Sequence, residues 1–372
     1  MPHEFGKWWD CLKKHTKRSQ HWLVRAQQLH DALDGRRPFR YFTLCARTMI
    51  DVFMLAREGI LSHDASYGNL SEVVFCESDQ EDYPEIIEML GVEGSGFPNR
   101  LEPVVLFQDD DYTAQFPTVG SIQLELEDQD LADDQRDALQ LKRQHLEFAA
   151  KFPFDFLNLD FCGYYYPEPP DILEINRTVD QMVALQSRDT RDEEGKRISV
   201  DEFIMAVTCK FNNEVPTEAF NRLERIVEEN GNRFEEYSAA LLASRGTREP
   251  EQWKNADRFD FFLGAWPKEL LRISQTHGWT MSFTDYLHYA RVNDEGQPYN
   301  ILCLICHLTR QEQTNTYLAE AIKVLQPENR QFIDEVDKQS VAGLALQADL
   351  AEIVAIRNER ARVVGRPELQ LP

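Results

Sequence analysis

The sequence predicts an α/β fold: a doubly wound, mostly parallel sheet that ends in an antiparallel pair, with helical extensions at both termini. Three observations predict it. Short apolar runs rich in Val, Ile and Phe alternate with stretches of helical period from residue 38 onward. Several of these runs stop abruptly at acids, Glu77, Asp109 and Asp160 among them. Two long apolar runs then follow each other across a short turn at Asn293–Gly296, as antiparallel neighbours do.

Taken in order, residues 3–34 read as mainly helical. Trp8, Trp9, Leu12, Trp22, Leu23, Ala26, Leu29 and Leu33 keep a broken helical period, and Gly35 is a stop signal. After Pro38, Arg40–Cys45 reads as the first strand and passes directly into a helix over 46–58 that Gly59 ends. Val73–Cys76 is a second strand, followed by a helix that Gly91 stops. Pro103–Phe107 is a third strand, leading through a polar stretch to a helix over 131–151. Phe154–Phe161 is the fourth strand. Apolar residues dominate it, as in a central strand covered on both faces. A helix over 171–187 and a charged loop over 189–197 precede the fifth strand, Glu202–Cys209. Pro216 opens a helical region reaching Ser244. The segment 247–255 reads as a surface loop, 257–276 as helix, Trp279–Tyr289 and Tyr299–Leu308 as the closing strands, and 311–364 as helix throughout. This divides the chain into a basic helical arm (1–37), a Rossmann-like domain (38–310) and a helical extension (311–372). Neither an internal repeat nor a low-complexity tract is present.

Composition narrows the function. The chain has 372 residues, a hydrophobic fraction of 42% and a net charge of −24, which argues against broad nonspecific binding to nucleic acid. The charge is uneven: residues 1–50 hold ten Lys or Arg against four acids, a surplus of +6 that leaves −30 for the rest. Such an arm can dock on a phosphate backbone, or on the acidic body itself. The run Lys13-Lys14-His15-Thr16-Lys17-Arg18 is a solvated face in the simpler reading. Interleaved with Trp9 and Trp22, it is also a candidate nucleic-acid contact. No apolar run is long enough to span a membrane, and Met1–Lys14 does not read as a secretory signal. Seven scattered cysteines, most of them inside apolar runs, suit reduced thiols in the cytoplasm.

The site candidates gather at strand ends, because ligands of open α/β sheets lie at the carboxyl ends of the strands. Asp160 stands where the fourth strand runs out, before Gly163, Tyr164, Tyr165, Tyr166 and Pro167. It is either a site acid or the cap of the following turn. Glu77 and Asp79 follow the second strand, and Asp109, Asp110 and Asp111 the third.

This order of five strand–helix units and a closing hairpin, with acids at strand ends, resembles the class I S-adenosylmethionine-dependent methyltransferases over residues 38–310. A similar layout occurs in the three-Cys-motif partner family of bacterial methyltransferase-like proteins. The resemblance implies that Glu77 grips the ribose hydroxyls, against a plainer reading as a helix N-terminal charge. It implies that one of Asp109–Asp111 meets the adenine amino group, with Asp79 nearby, against a solvated acidic loop. It makes Asp160 the catalytic acid that orients the acceptor or accepts its proton, and assigns Asn158, Gly163, Tyr164, Tyr165 and Tyr166 to the substrate side. The tyrosines would wall a pocket for a flat substrate. The stretch departs from the Asn/Asp-Pro-Pro-Tyr form of methyltransferases acting on nucleic-acid amino groups. After the first strand, where the family has a glycine-rich loop, this chain has Leu44-Cys45-Ala46-Arg47-Thr48. Cys45 is small enough to line that turn, while Arg47 and Asp51 could meet the ligand's carboxylate or amine. A loop without glycine is also what a catalytically silent descendant would show. In that competing reading the sheet is a scaffold, and the terminal helices bind a protein partner or a second copy of the chain.

Two further signals are set aside. Cys303-Leu304-Ile305-Cys306-His307 fits a haem-attachment pattern but lies inside an apolar strand. Cys162 flanks the site and reads as a buried, inert thiol. The remaining histidines show no metal-ligand spacing, so no structural zinc is expected.

Overall fold

The computed structural model describes residues 9–44, 48–77, 82–91, 96–97, 133–161, 172–187, 190–191, 197–198, 200–211, 217–292, 298–310, 316–334 and 336–369. The chain opens with helix α1 (Trp9–Lys17), a π-helical turn (Arg18–Trp22) and α2 (Leu23–Leu33). Then come β1 (Tyr41–Leu44), α3 (Ile50–Arg57), β2 (Val73–Cys76), α4 (Asp82–Leu90) and the two-residue β3 (Gly96–Phe97). Next are α5 (Asp133–Ala149), β4 (Phe156–Asp160) and α6 (Ile172–Gln186), with a small ribbon of β5 (Thr190–Arg191) and β6 (Arg197–Ile198). Strand β7 (Glu202–Phe211) leads to α7 (Thr217–Arg233), α8 (Glu235–Arg245), α9 (Pro250–Ala256) and α10 (Arg258–Thr276). The hairpin β8 (Thr280–Val292) and β9 (Pro298–Thr309) follows, and α11 (Thr316–Lys323), β10 (Gln331–Phe332) and α12 (Val341–Val364) complete the chain.

The main sheet has the order β10-β8-β9-β7-β4-β1-β2-β3 among the described residues. All neighbouring strands pair in parallel except at β9, which runs against both β7 and β8. The fold is therefore α/β and Rossmann-like. Its strand order reverses between β1 and β4: the chain proceeds outward from β1 to β2 and β3, then returns to the other side of β1. Alternation along the strands explains why they are apolar throughout. Phe42, Leu157 and Met205 face one layer, built by α5, α6, α7 and α10. Tyr41, Phe156 and Ile204 face the other, built by α2, α3, α4 and α12.

The terminal segments belong to this second layer. Trp22, Ala26 and Leu29 from the N-terminus, and Ile353 and Val354 from α12, are buried with β1 and β4 in one apolar cluster. The expected arm over 1–37 is thus a covering helix pair of the sheet.

Other expectations need correction. The segment expected as a loop over 247–255 carries α9, because Pro250 pre-sets the first helical turn and Trp253 is buried against α10. Gly264 admits that indole: a Cβ there would lie 2.4 Å from the ring. The C-terminal region is not helical throughout, since Pro327 stops the chain after α11 and Gln331–Phe332 add to the sheet edge beside Leu287 and His288. The first crossover helix starts at Ile50 rather than 46, and the helix over 216–244 breaks at Phe234, which is extended. The charged loop over 189–197 contains the β5–β6 ribbon. The expected third strand, 103–107, lies outside the described residues; among the described residues the strand on the far side of β2 from β1 is β3.

Candidate functional site

The carboxyl ends of β1 and β4 meet at the point where the strand order reverses, the place where open sheets of this kind bind ligands. The register sets Thr43 beside Asn158 and Asp160 beside Thr208. Period-two alternation puts Phe156, Asn158 and Asp160 on the face covered by the N-terminal helices. A polar layer therefore replaces the apolar core at this end.

Its first half is a closed hydrogen-bond cluster. Tyr41 and Thr43 donate their hydroxyls to Asp51 Oδ2 (2.7 and 3.0 Å). Asn158 Nδ2 donates to the same oxygen (3.0 Å) and to both hydroxyl oxygens (2.9 and 3.1 Å). All four residues are buried. Because every neighbour of that amide group is an acceptor, its NH2 must face them and its oxygen must face away. Asn158 Oδ1 is buried with no hydrogen-bond partner among the described residues. Burial, then the Asp51 carboxylate, pushes the Tyr41 phenol well above its ordinary range. The ring stays neutral and donates.

The second half is ionic. Lys14 Nζ lies 2.9 Å from Asp160 Oδ2, and Lys17 Nζ lies 3.6 Å from it. Lys17 also donates to Thr208 Oγ1 at 3.2 Å and sits 4.4 Å from the centre of the Trp22 ring. Burial alone would raise the Asp160 carboxyl, but Lys14, Lys17 and Arg18 outweigh it and hold it below the usual carboxylate range. Asp160 is therefore a weak proton acceptor. Glu77, directly after β2, is buried, and after burial its charge is what raises the Cys76 thiol.

Of the sequence candidates, Asp51 and Asn158 are brought into direct contact, Asp160 lies two residues further along β4, and Glu77 lies at the end of β2. Cys45, Arg47, Asp79, Asp109, Asp110, Asp111, Cys162, Gly163, Tyr164, Tyr165 and Tyr166 lie outside the described residues. Tyr41, Thr43 and Thr208 are site residues that sequence reasoning missed, and Lys14 and Lys17, which read as a solvated or nucleic-acid-binding face, are instead partners of Asp160. For the first two the signal was available: polar groups at alternating positions of a strand whose intervening residues are apolar.

The basic run turns inward. Lys13 donates to the Ala290 carbonyl (3.2 Å), His15 bonds Asp349 (2.7 Å), and His21 and Arg25 both pair with Asp285 (2.7 and 2.9 Å). Lys13, Lys17 and Arg18 are buried. Cys303 and Cys306 fall in opposite apolar layers, so their thiols cannot hold one group between them. Among the described residues no cluster of three His, Cys, Asp or Glu could hold a metal ion, and no helix is long and apolar enough to cross a membrane. No protein-family model matches the chain, and no curated protein or solved structure does either.

Proposed function

We propose that this chain is a methyltransferase-like protein that binds S-adenosylmethionine or a related nucleoside at the carboxyl ends of β1, β2 and β4. One observation carries the reading: the polar layer at the β1–β4 reversal presents a buried amide oxygen, Asn158 Oδ1, without a partner. An unsatisfied acceptor at that depth costs on the order of 1–3 kcal/mol, and a ligand donor would satisfy it. The five strand–helix units and the closing hairpin further support the reading. Asp51 and Asn158 would hold the ligand's donors and Glu77 its ribose hydroxyls. S-adenosylmethionine, when bound, supplies the electrophilic methyl group. The chain's contribution is proximity and alignment of an acceptor, nucleic acid among the candidate classes, entering beside β4. Asp160, kept ionised by Lys14 and Lys17, would orient the acceptor rather than take its proton.

The test is thermal unfolding with S-adenosylmethionine and with S-adenosylhomocysteine. Ligand at a hundred times its dissociation constant adds about 2.7 kcal/mol of stability, enough for a visible rise in Tm. Glu77→Ala should abolish that rise. A well-folded sample that responds to neither compound would refute the nucleoside reading.

A second reading, a catalytically silent scaffold, is favoured by the ion-paired state of Asp160 and by the absence of glycine between Leu44 and Asp51. It predicts the same thermal response with no release of S-adenosylhomocysteine from S-adenosylmethionine.

A further inference from the structure

The first turn after α1 holds a charge that the fold does not explain. Arg18 is only 8% exposed, its Nε is buried without a hydrogen-bond partner, and among the described residues no carboxylate pairs with it. Burying a guanidinium unpaired is among the more expensive things a chain can do. Arg18 lies one helical turn beyond Lys14 and directly after Lys17, and its charge is felt at Lys14, His15 and Asp160. Those lysines already share Asp160, at 2.9 and 3.6 Å. Asp349, which pairs with the neighbouring His15, is occupied by His15 and Arg57, each at 2.7 Å. Among the described residues three cations thus face the Asp160 carboxylate, an excess of two positive charges at the carboxyl end of β4. Lys14 is 20% exposed, which leaves an approach from solvent. Arg18 also opens the π-helical turn, a local widening often retained where a helix serves a site.

We infer that Lys14, Lys17 and Arg18 form a binding site for a phosphate group, which would enter between the N-terminal helix and the end of β4 and neutralise the excess. A guanidinium matches two phosphate oxygens at once, and the two ammonium groups add point charges. A phosphate dianion balances two positive charges, whereas a carboxylate leaves one over. Burial first, and the neighbouring cations with it, lower the Lys14 pKa against the pull of Asp160, so an arriving anion would favour its charged form.

The experiment is thermal unfolding of the full chain in inorganic phosphate, acetate or chloride at one pH and ionic strength, without any nucleoside present. Its outcome is therefore separate from the methyl-donor test. Phosphate is expected to raise Tm saturably above the chloride value, and acetate to raise it little. Arg18→Met should lose the phosphate response while melting no lower than the native chain in chloride, because an unpaired buried charge has gone. Should Arg18→Met not fold, Lys14→Met, at a partly exposed position, decides: it should lose most of the response. The proposal is overturned if phosphate does not raise Tm above chloride, or if acetate matches phosphate. It is equally overturned if Arg18→Met melts lower in chloride while Lys14→Met keeps the full phosphate response.

Discussion

Lys268 sits inside the helical layer, fully buried, with its amine bonded to one acceptor, the Gly264 carbonyl a turn earlier (2.7 Å). It lies over the rings of Tyr237 and Trp253, and among the described residues no acid pairs with it. Burial first, then Arg330 and Arg245, pushes its pKa well below the usual 10.5. The sign of the pH effect follows from proton counting. Between the lowered folded value and 10.5 the unfolded chain binds more protons, so stability rises with pH across that window and falls as pH drops through it. Lys268→Met should remove this slope in alkaline denaturation profiles. At neutral pH it should gain about 1–4 kcal/mol, as replacing buried ionic groups by apolar ones often does. Unchanged or lower stability in denaturant titrations would contradict that account. Nothing in the sequence around Lys268 announces it, because Lys on a helix is ordinarily read as a solvent-facing residue. Asp51 and Asn158 are the opposite case: the family resemblance pointed to both, and only the hydroxyls joining them were missed.

The N-terminal helices illustrate the same contrast between what spacing reveals and what packing decides. Their helical period was readable, and so was the opposition of a basic segment to an acidic body. Which acids they meet was not, since Asp160, Asp285 and Asp349 lie far along the chain. Asp285 is aimed at α2 by a local irregularity between Phe283 and Asp285, where β8 slips against β9 and changes which side chains face the helices. No sequence period marks such a slip. Burial raises the Asp285 carboxyl, but His21 and Arg25 outweigh it and bring its pKa down to about 2 from 3.8. A carboxyl with a depressed folded pKa contributes its stability above 3.8 and loses it as pH falls toward 2. The contribution is on the order of 2 kcal/mol. Asp285→Asn should therefore be less stable at neutral pH by about that amount and show a shallower loss between those two pH values. An acid-unfolding curve with the native slope would contradict the pairing.

At the scale of the whole molecule, the decisive question is whether residues 1–37 are an appendage or a layer of the fold. The apolar strand runs already implied helices on both faces, because a strand exposed on one side alternates polar and apolar residues. What they left open was where the second set of helices comes from, and α2 and α12 answer it from the two ends of the chain. Trp22 packs edge-on against Phe156 at 6.3 Å, while Lys14 and Lys17 neutralise Asp160 at the end of the same strand. Removing residues 1–37 would expose Phe156 and Ile204 to water, take Lys14 and Lys17 away from Asp160, and take His21 and Arg25 away from Asp285. Losing one partner of a buried pair alone costs about 3–5 kcal/mol, a large part of a typical domain's 5–15 kcal/mol. The truncated chain should lose cooperative unfolding in circular dichroism melts, and adding S-adenosylmethionine should not restore it. A truncated chain that melts cooperatively near the native temperature would show that the sheet stands without its N-terminal cover, and that these helices dock on a finished domain.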